Sequence, residues 1–267
     1  MEKSEEYKIS KVYTPTVMIP RENDFYNIKQ ILGEGAPKRL KSTILKHSAV
    51  LILLYNHSNS YTLILTERTR NMKHHSGEIS FPGGRYDPTT DFNIIETALR
   101  ECEEEIGINK ESIEILGQLD DVPTMTGYII TPVVGKLDIP NPKFTRNEVE
   151  VEQIFPIPID FFLNPTSFRE QCMIIEGKRF PIFMFDYTVH SKRYTIWGAT
   201  AHILVDYLKK IHHYNPSHLP HSRYSMEEIE EILKHRQIKA FNKEKKNHIK
   251  NILEKGGSKN GQRKTGN

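Results

Sequence analysis

The sequence predicts an α/β fold, and three observations carry that expectation. Runs of branched and aromatic residues bounded by turn formers recur at strand length, at 48–56, 61–67, 78–81, 113–120, 128–137 and 182–189. Helical periodicity appears at 93–106, 158–163 and 198–213. No internal repeat is visible, and 267 residues with 27% charged and 37% hydrophobic composition suffice for one core of ordinary size with extensions.

Residues 1–42 hold Pro15, Pro20 and Pro37 among mixed charges, with a short helix near Phe25 to Leu32, and read as an N-terminal extension packed on the domain. Ala49 to Tyr55 is the longest apolar run. It falls far short of the roughly 20 residues of a membrane span and reads as a buried strand. Gly77 to Phe81 approaches as a strand and meets Pro82-Gly83-Gly84, where two glycines let the backbone turn sharply and come close to a ligand. A polar loop, Arg85 to Asp91, leads into the helix at 93–106. After the later strands and helices the domain closes near 215. It is placed at 43–215, with a basic, helical and partly disordered tail at 216–267.

The helix at 93–106 draws the chemistry. Glu104 and Glu105 follow Glu101 at steps of three and four, which gathers three carboxylates on one helical face, with Leu99, Cys102 and Ile106 apolar on the other. Like charges so crowded predict a cationic partner, and Mg2+ fits their hard oxygen ligands. The bland reading is a solvated glutamate-rich face.

Gly84, followed by Arg100-Glu101-Cys102-x-Glu104-Glu105-x-Gly107-Ile108, resembles the Nudix box, the loop–helix–loop signature of hydrolases that cleave a nucleoside diphosphate linked to another group. The resemblance implies an α/β/α sandwich with a mixed β-sheet. It implies Mg2+ or Mn2+ bound by Glu101, Glu104 and Glu105, and Arg100 holding Glu101 or a neighbouring carboxylate. The first half of the box departs from the family: Phe92 stands where the family has glutamate, and the gap from Gly84 to Arg100 is about two residues longer. Asp87 or Asp91 replaces that glutamate only if the loop folds back.

Upstream, Leu65, Thr66, Arg68, Thr69, Met72, His75, Gly77, Ile79 and Phe81-Pro82-Gly83-Gly84 resemble the extension carried by a Nudix subgroup that hydrolyses coenzyme A. Further likenesses to that subgroup run to Ile196-Trp197-Gly198-Ala199-Thr200-Ala201, so the resemblance covers roughly 46–210. It implies that Arg68, His75, Gly83 and Gly84 bind substrate. It also implies a metal-activated water attacking the diphosphate of coenzyme A or its thioesters, giving adenosine 3′,5′-bisphosphate and 4′-(acyl)phosphopantetheine. The base stays open between the same glutamates and an acid of 147–152 such as Glu148.

Weaker signals lie outside. From Lys234 to Lys264 there are eleven Lys or Arg and two Glu, so this piece carries +9 and the rest −6 of the net +3. Such asymmetry suits an anionic partner. No aromatic interleaving accompanies it, and a solubilising helix opened by a capping box at Ser225-Met226-Glu227-Glu228 is the plainer account, with nucleic acid the lesser one. His212, His213, His218 and His221 lack regular ligand spacing and read as a surface loop, and Trp197, the single tryptophan, as a core anchor. Two cysteines without a disulfide framework, and a start lacking signal-peptide character, point to the cytoplasm.

Three alternatives stay open: a Nudix hydrolase for ADP-ribose, a dinucleotide cofactor or a nucleoside triphosphate; a non-catalytic Nudix-fold binding module; and an RNA-associated protein dominated by its tail. Acyl preference, oligomeric state and the role of the extension are not legible.

Overall fold

The computed structural model describes residues 24–57, 60–70, 76–139, 142–175, 178–218 and 225–235. Its frame is an eight-stranded mixed sheet whose main path runs β3 (Ile79–Ser80), β2 (Ser60–Arg68), β1 (Lys46–His57), β7 (Tyr128–Leu137) and β5 (Ile113–Gln118). Off this path β4 (Gly83–Arg85) pairs with β1, β6 (Val122–Pro123) with β7, and β8 (Val151–Pro158) with β2. β1 and β7 are parallel from Lys46 opposite Tyr128 to Tyr55 opposite Leu137, and the other pairs are antiparallel.

The apolar run in β1 explains that central place. A strand buried on both faces reads as a continuous hydrophobic stretch, and its alternation still sorts side chains to two cores. Ala49, Leu51 and Leu53 meet Ala98, Leu99, Cys102 and Ile106 of α2 (Ile94–Ile106) on one face. Ile52 and Leu54 meet α1 (Asp24–Gly33) and α4 (Gly198–His212) on the other. The sheet thus lies between helices, as an α/β/α sandwich requires.

α1 sends Phe25, Ile28 and Leu32 into the main core, so this part of the N-terminal extension is integral to the fold. Residues 1–23 lie outside the described residues, as do those beyond 235. The first helix of the tail, α5 (226–235), seats Ile229 against Leu45 and Ile129. Ser225 and Glu228 exchange the two hydrogen bonds of a capping box, at 3.2 and 2.9 Å.

Several expectations need correction. β8 is a strand although Pro156 and Pro158 speak against one; it pairs only with β2, and an edge strand loses little when proline removes a donor. The strand expected at 182–189 is present within β10 (Lys178–Val189), which forms a second, three-stranded antiparallel sheet with β9 (Phe168–Ile175) and β11 (Lys192–Trp197), two strands that were not expected. Its outer strands are charged, which hides their period, and Asp186 ties Arg169, Arg193 and Thr195 across all three. Trp197 is 49% exposed where α4 begins, so it is not a core anchor; Tyr61, Phe155 and Tyr207 fill that role. His212 is not part of a surface loop. Its ring nitrogen meets the Tyr61 hydroxyl at 2.5 Å, and burial lowers its pKa to about 4, leaving it neutral. His213 and His218 are exposed, while His221 lies outside the described residues.

Candidate active site

α2 owes its position to its caps and its apolar stripe. Asn93 accepts from the amides of Ile95 and Glu96, which fixes the first turn, and Gly107 ends the helix in the left-handed conformation at φ 70°. Beyond it Thr145 donates its amide to the Ile106 carbonyl and Asn147 to that of Glu105, so the 145–150 segment closes the end of the helix.

The three glutamates on this helix stand in different surroundings. Glu104 is on the surface, Glu101 is mostly covered and Glu105 is buried, with 1% of its surface exposed. Neither carboxylate oxygen of Glu105 has a well-formed hydrogen bond among the described residues, although the backbone amide of Gly83 is turned toward the group. Arg68 Nη1 lies 3.7 Å away, too far for one. Burial raises the Glu105 pKa to about 8, with the Arg68 charge and the Gly83 amide opposing the rise and the Glu101 and Glu150 charges adding to it. The pKa of Glu101 is also raised by burial, against the pull of Arg100.

Arg100 supplies much of the cationic partnership that the crowded acids call for. Its Nη1 donates to Glu101 at 2.9 Å and to Glu104 at 3.1 Å. Its other edge is held by Asp91, with Nε to Oδ1 at 2.7 Å and Nη2 to Oδ2 at 3.0 Å. Asp91 is buried, also accepts from Thr97 Oγ1 and the Asp87 amide, and has its pKa driven far below the usual carboxylate range, first of all by Arg100. The long loop therefore folds back, closed by an Asp87 turn, and presents Asp91 to the helix. Phe92, at the position of the family glutamate, is 92% exposed.

The glycine pair forms a short strand where a sharp turn was expected. Gly83 and Gly84 lie against Val50 and Ala49 of β1, and a Cβ on Gly84 would stand 2.3 Å from the Glu101 carboxylate carbon. The close approach is to the protein's own acid. Arg68 faces Glu105, and its backbone pairs with Glu78 and Gly77 in the turn-back that brings β3 and β4 to the helix. His75 and Met72 lie outside the described residues.

Among the described residues no three acidic, histidine or cysteine side chains already stand as a metal cage, since Glu104 turns outward to Arg100. The donor set nevertheless suits a hard cation: Glu105 offers two buried oxygens without a well-formed hydrogen bond among the described residues, and the Glu101 charge bears on it. Glu148 is exposed and pairs with Arg146, whereas the charge of Glu150 bears on both Glu101 and Glu105. Only the turn at 147–150, closed by Asn147 accepting from the Val149 amide, distinguishes these two acids, and no spacing rule in the sequence reveals that turn.

Known proteins resemble this chain in sequence. Residues 45–159 match the NUDIX domain. The uncharacterized Nudix hydrolase NudL of Photorhabdus laumondii is 36% identical over 182 residues, which span 68% of this chain and 93% of that protein. The protein of the same name from Pectobacterium atrosepticum is 35% identical over 60% of this chain and 79% of its own length. That of Salmonella newport is 31% identical over 68% and 90%. With the acidic helix, its arginine and the glycine strand assembled on one face of a mixed sheet, this chain belongs to the Nudix hydrolase family.

Proposed function

We propose that this protein hydrolyses the diphosphate of coenzyme A or its thioesters, releasing adenosine 3′,5′-bisphosphate and 4′-(acyl)phosphopantetheine. The observation that carries the hydrolytic part is the buried Glu105 carboxyl, which has no well-formed hydrogen bond among the described residues and feels the charge of Glu101. A buried carboxylate of this kind is costly unless a cation completes it. Mg2+ or Mn2+ held by Glu101, Glu104 and Glu105 would neutralise the diphosphate and acidify a water. The chain's own residues do the rest. Arg100, gripped by Asp91, keeps Glu101 and Glu104 in place, and Arg68 steadies Glu105. Glu150 adds negative charge that favours proton uptake by its neighbours.

The substrate assignment is supported by the stretch from Leu65 to Gly84. Its two ends meet the site directly, Arg68 at Glu105 and Gly84 at Glu101. Residues that resemble the coenzyme A subgroup therefore border the site. The free cysteine Cys102, and the described helices, none long and apolar enough to cross a membrane, accord with a site of action in a reducing compartment such as the cytoplasm.

The test is a panel of coenzyme A, acetyl-coenzyme A, ADP-ribose, a dinucleotide and a nucleoside triphosphate, each with Mg2+ or Mn2+ and with product identification. Cleavage of coenzyme A at its diphosphate is the expected result. Cleavage of another diphosphate with coenzyme A untouched removes the subgroup reading, and binding without any cleavage turns the protein into a Nudix-fold binding module.

A further inference from the structure

Glu67 and Arg68 are consecutive in β2 at a register shift against β8, and their side chains serve different surroundings. Arg68 reaches Glu105. Glu67 instead enters a neighbouring cavity of about 350 Å³ lined by Glu67, Thr69, Arg70, Glu148, Glu152 and Lys192. The 147–150 turn is the shared wall: Asn147 binds the Glu105 carbonyl on one side, while Thr69 binds the carbonyls of Val149 and Glu150 on the other. The side chain of Glu67 is 8% exposed, and its Oε2 has no partner. Lys192 Nζ stands 3.9 Å from Oε1, beyond hydrogen-bond reach, and rests over the Tyr194 ring. Among the described residues nothing donates to that oxygen, which leaves it open to a donor supplied by a ligand.

The lining discriminates among ligands. Among the described lining residues three carboxylates stand against one guanidinium and one ammonium, a balance of −1 that favours a neutral group over a phosphate. No metal cage exists among the described residues here either. The matching group is neutral, donating to Glu67 and accepting from Lys192 or Arg70, and a secondary amide does both. We propose that this cavity is a specificity subsite for the amide-bearing arm of the substrate, with Glu67 accepting an amide N–H and Lys192 or Arg70 donating to an amide carbonyl. This inference rests on the coenzyme A reading, whose phosphopantetheine arm carries two amides.

The experiment separates the two. Pantetheine, which carries both amides and no phosphate, is titrated into the full chain in EDTA by ligand-observed NMR, with adenosine 3′,5′-bisphosphate as a parallel probe. Glu67→Gln keeps the shape of the side chain, and Lys192→Met alters an exposed residue, so either retains a folded protein to measure. Each should weaken pantetheine binding by about tenfold or more, the value of one lost hydrogen bond to a charged group, while the bisphosphate binds as before. With Mg2+ the same variants should raise KM for coenzyme A more than they lower kcat. Pantetheine binding that is absent, or equal in wild type and variants, overturns the subsite even if coenzyme A is cleaved. Glu67-dependent pantetheine binding by a protein that leaves coenzyme A intact upholds the subsite and removes the diphosphatase reading.

Discussion

Replacing Glu105 by Gln tests the electrostatics on which the site depends. In the folded protein burial moves this carboxyl from 4.5 to about 8. The unfolded chain therefore releases the proton near pH 4.5, while the folded chain keeps it until about pH 8. Within that window the folded state binds more protons, so stability falls as pH rises, by about 1.4 kcal/mol per pH unit for this one group. Across the whole window the loss is on the order of 5 kcal/mol as an upper bound. Glutamine has nearly the same shape and no titration. Urea unfolding in EDTA at pH 5, 6.5 and 8 should give wild type and Glu105→Gln similar stabilities at the acid end, with the variant ahead by several kcal/mol at the alkaline end. Mg2+ or Mn2+ at pH 8 should restore the wild type and leave the variant unchanged. The variant should also lose kcat by about a hundredfold or more. Parallel pH curves for the two proteins would refute the account of Glu105 as a buried acid awaiting a cation.

Three other outcomes follow from single contacts. Gly84→Ala places a methyl 2.3 Å from the Glu101 carboxylate, so steady-state assays should show a large fall in kcat while thermal unfolding shifts by only a few degrees. Asp91→Asn removes the anchor of Arg100 and should cost about 2–4 kcal/mol at pH 7 in chemical denaturation. Because the Asp91 pKa is depressed by folding, its contribution is present above pH 3.8 and disappears as pH falls further, so variant and wild type should converge in acid. Cys102 is buried with its thiol pKa pushed up, whereas Cys172 is exposed; native protein should react with one equivalent of a thiol reagent and unfolded protein with two, counted by mass spectrometry.

How much of this could be read from residues alone follows from the range of each interaction. The strands at the centre of the sheet were legible because β1 and β7 are apolar over long stretches, and α2 because its apolar stripe recurs at helical spacing. β8, β9 and β11 were not. Their stability comes from partners distant in sequence, and all three carry the prolines or charges that local rules count against strands. The acidic face was legible as spacing, yet spacing does not report depth: Glu104 and Glu105 are neighbours in sequence, and the sheet covers only one of them. Glu67 escaped notice for the same reason, since its burial depends on a lysine 125 positions later.

The departure from the family box shows how a missing residue is replaced by geometry. A glutamate one residue later could not serve, because Phe92 points into solvent there. The longer loop instead turns on Asp87 and delivers Asp91, whose two oxygens take the Nε and Nη2 edge of Arg100. A guanidinium gripped on that edge has only Nη1 left for the helix, and Nη1 is the atom that meets both Glu101 and Glu104. The grip thus limits how far Arg100 can reach. It draws the guanidinium to the outer pair of acids and away from Glu105, which keeps only the more distant Arg68 as a charged partner among the described residues, so the loop that departs from the family pattern also leaves the deepest acid open to a cation.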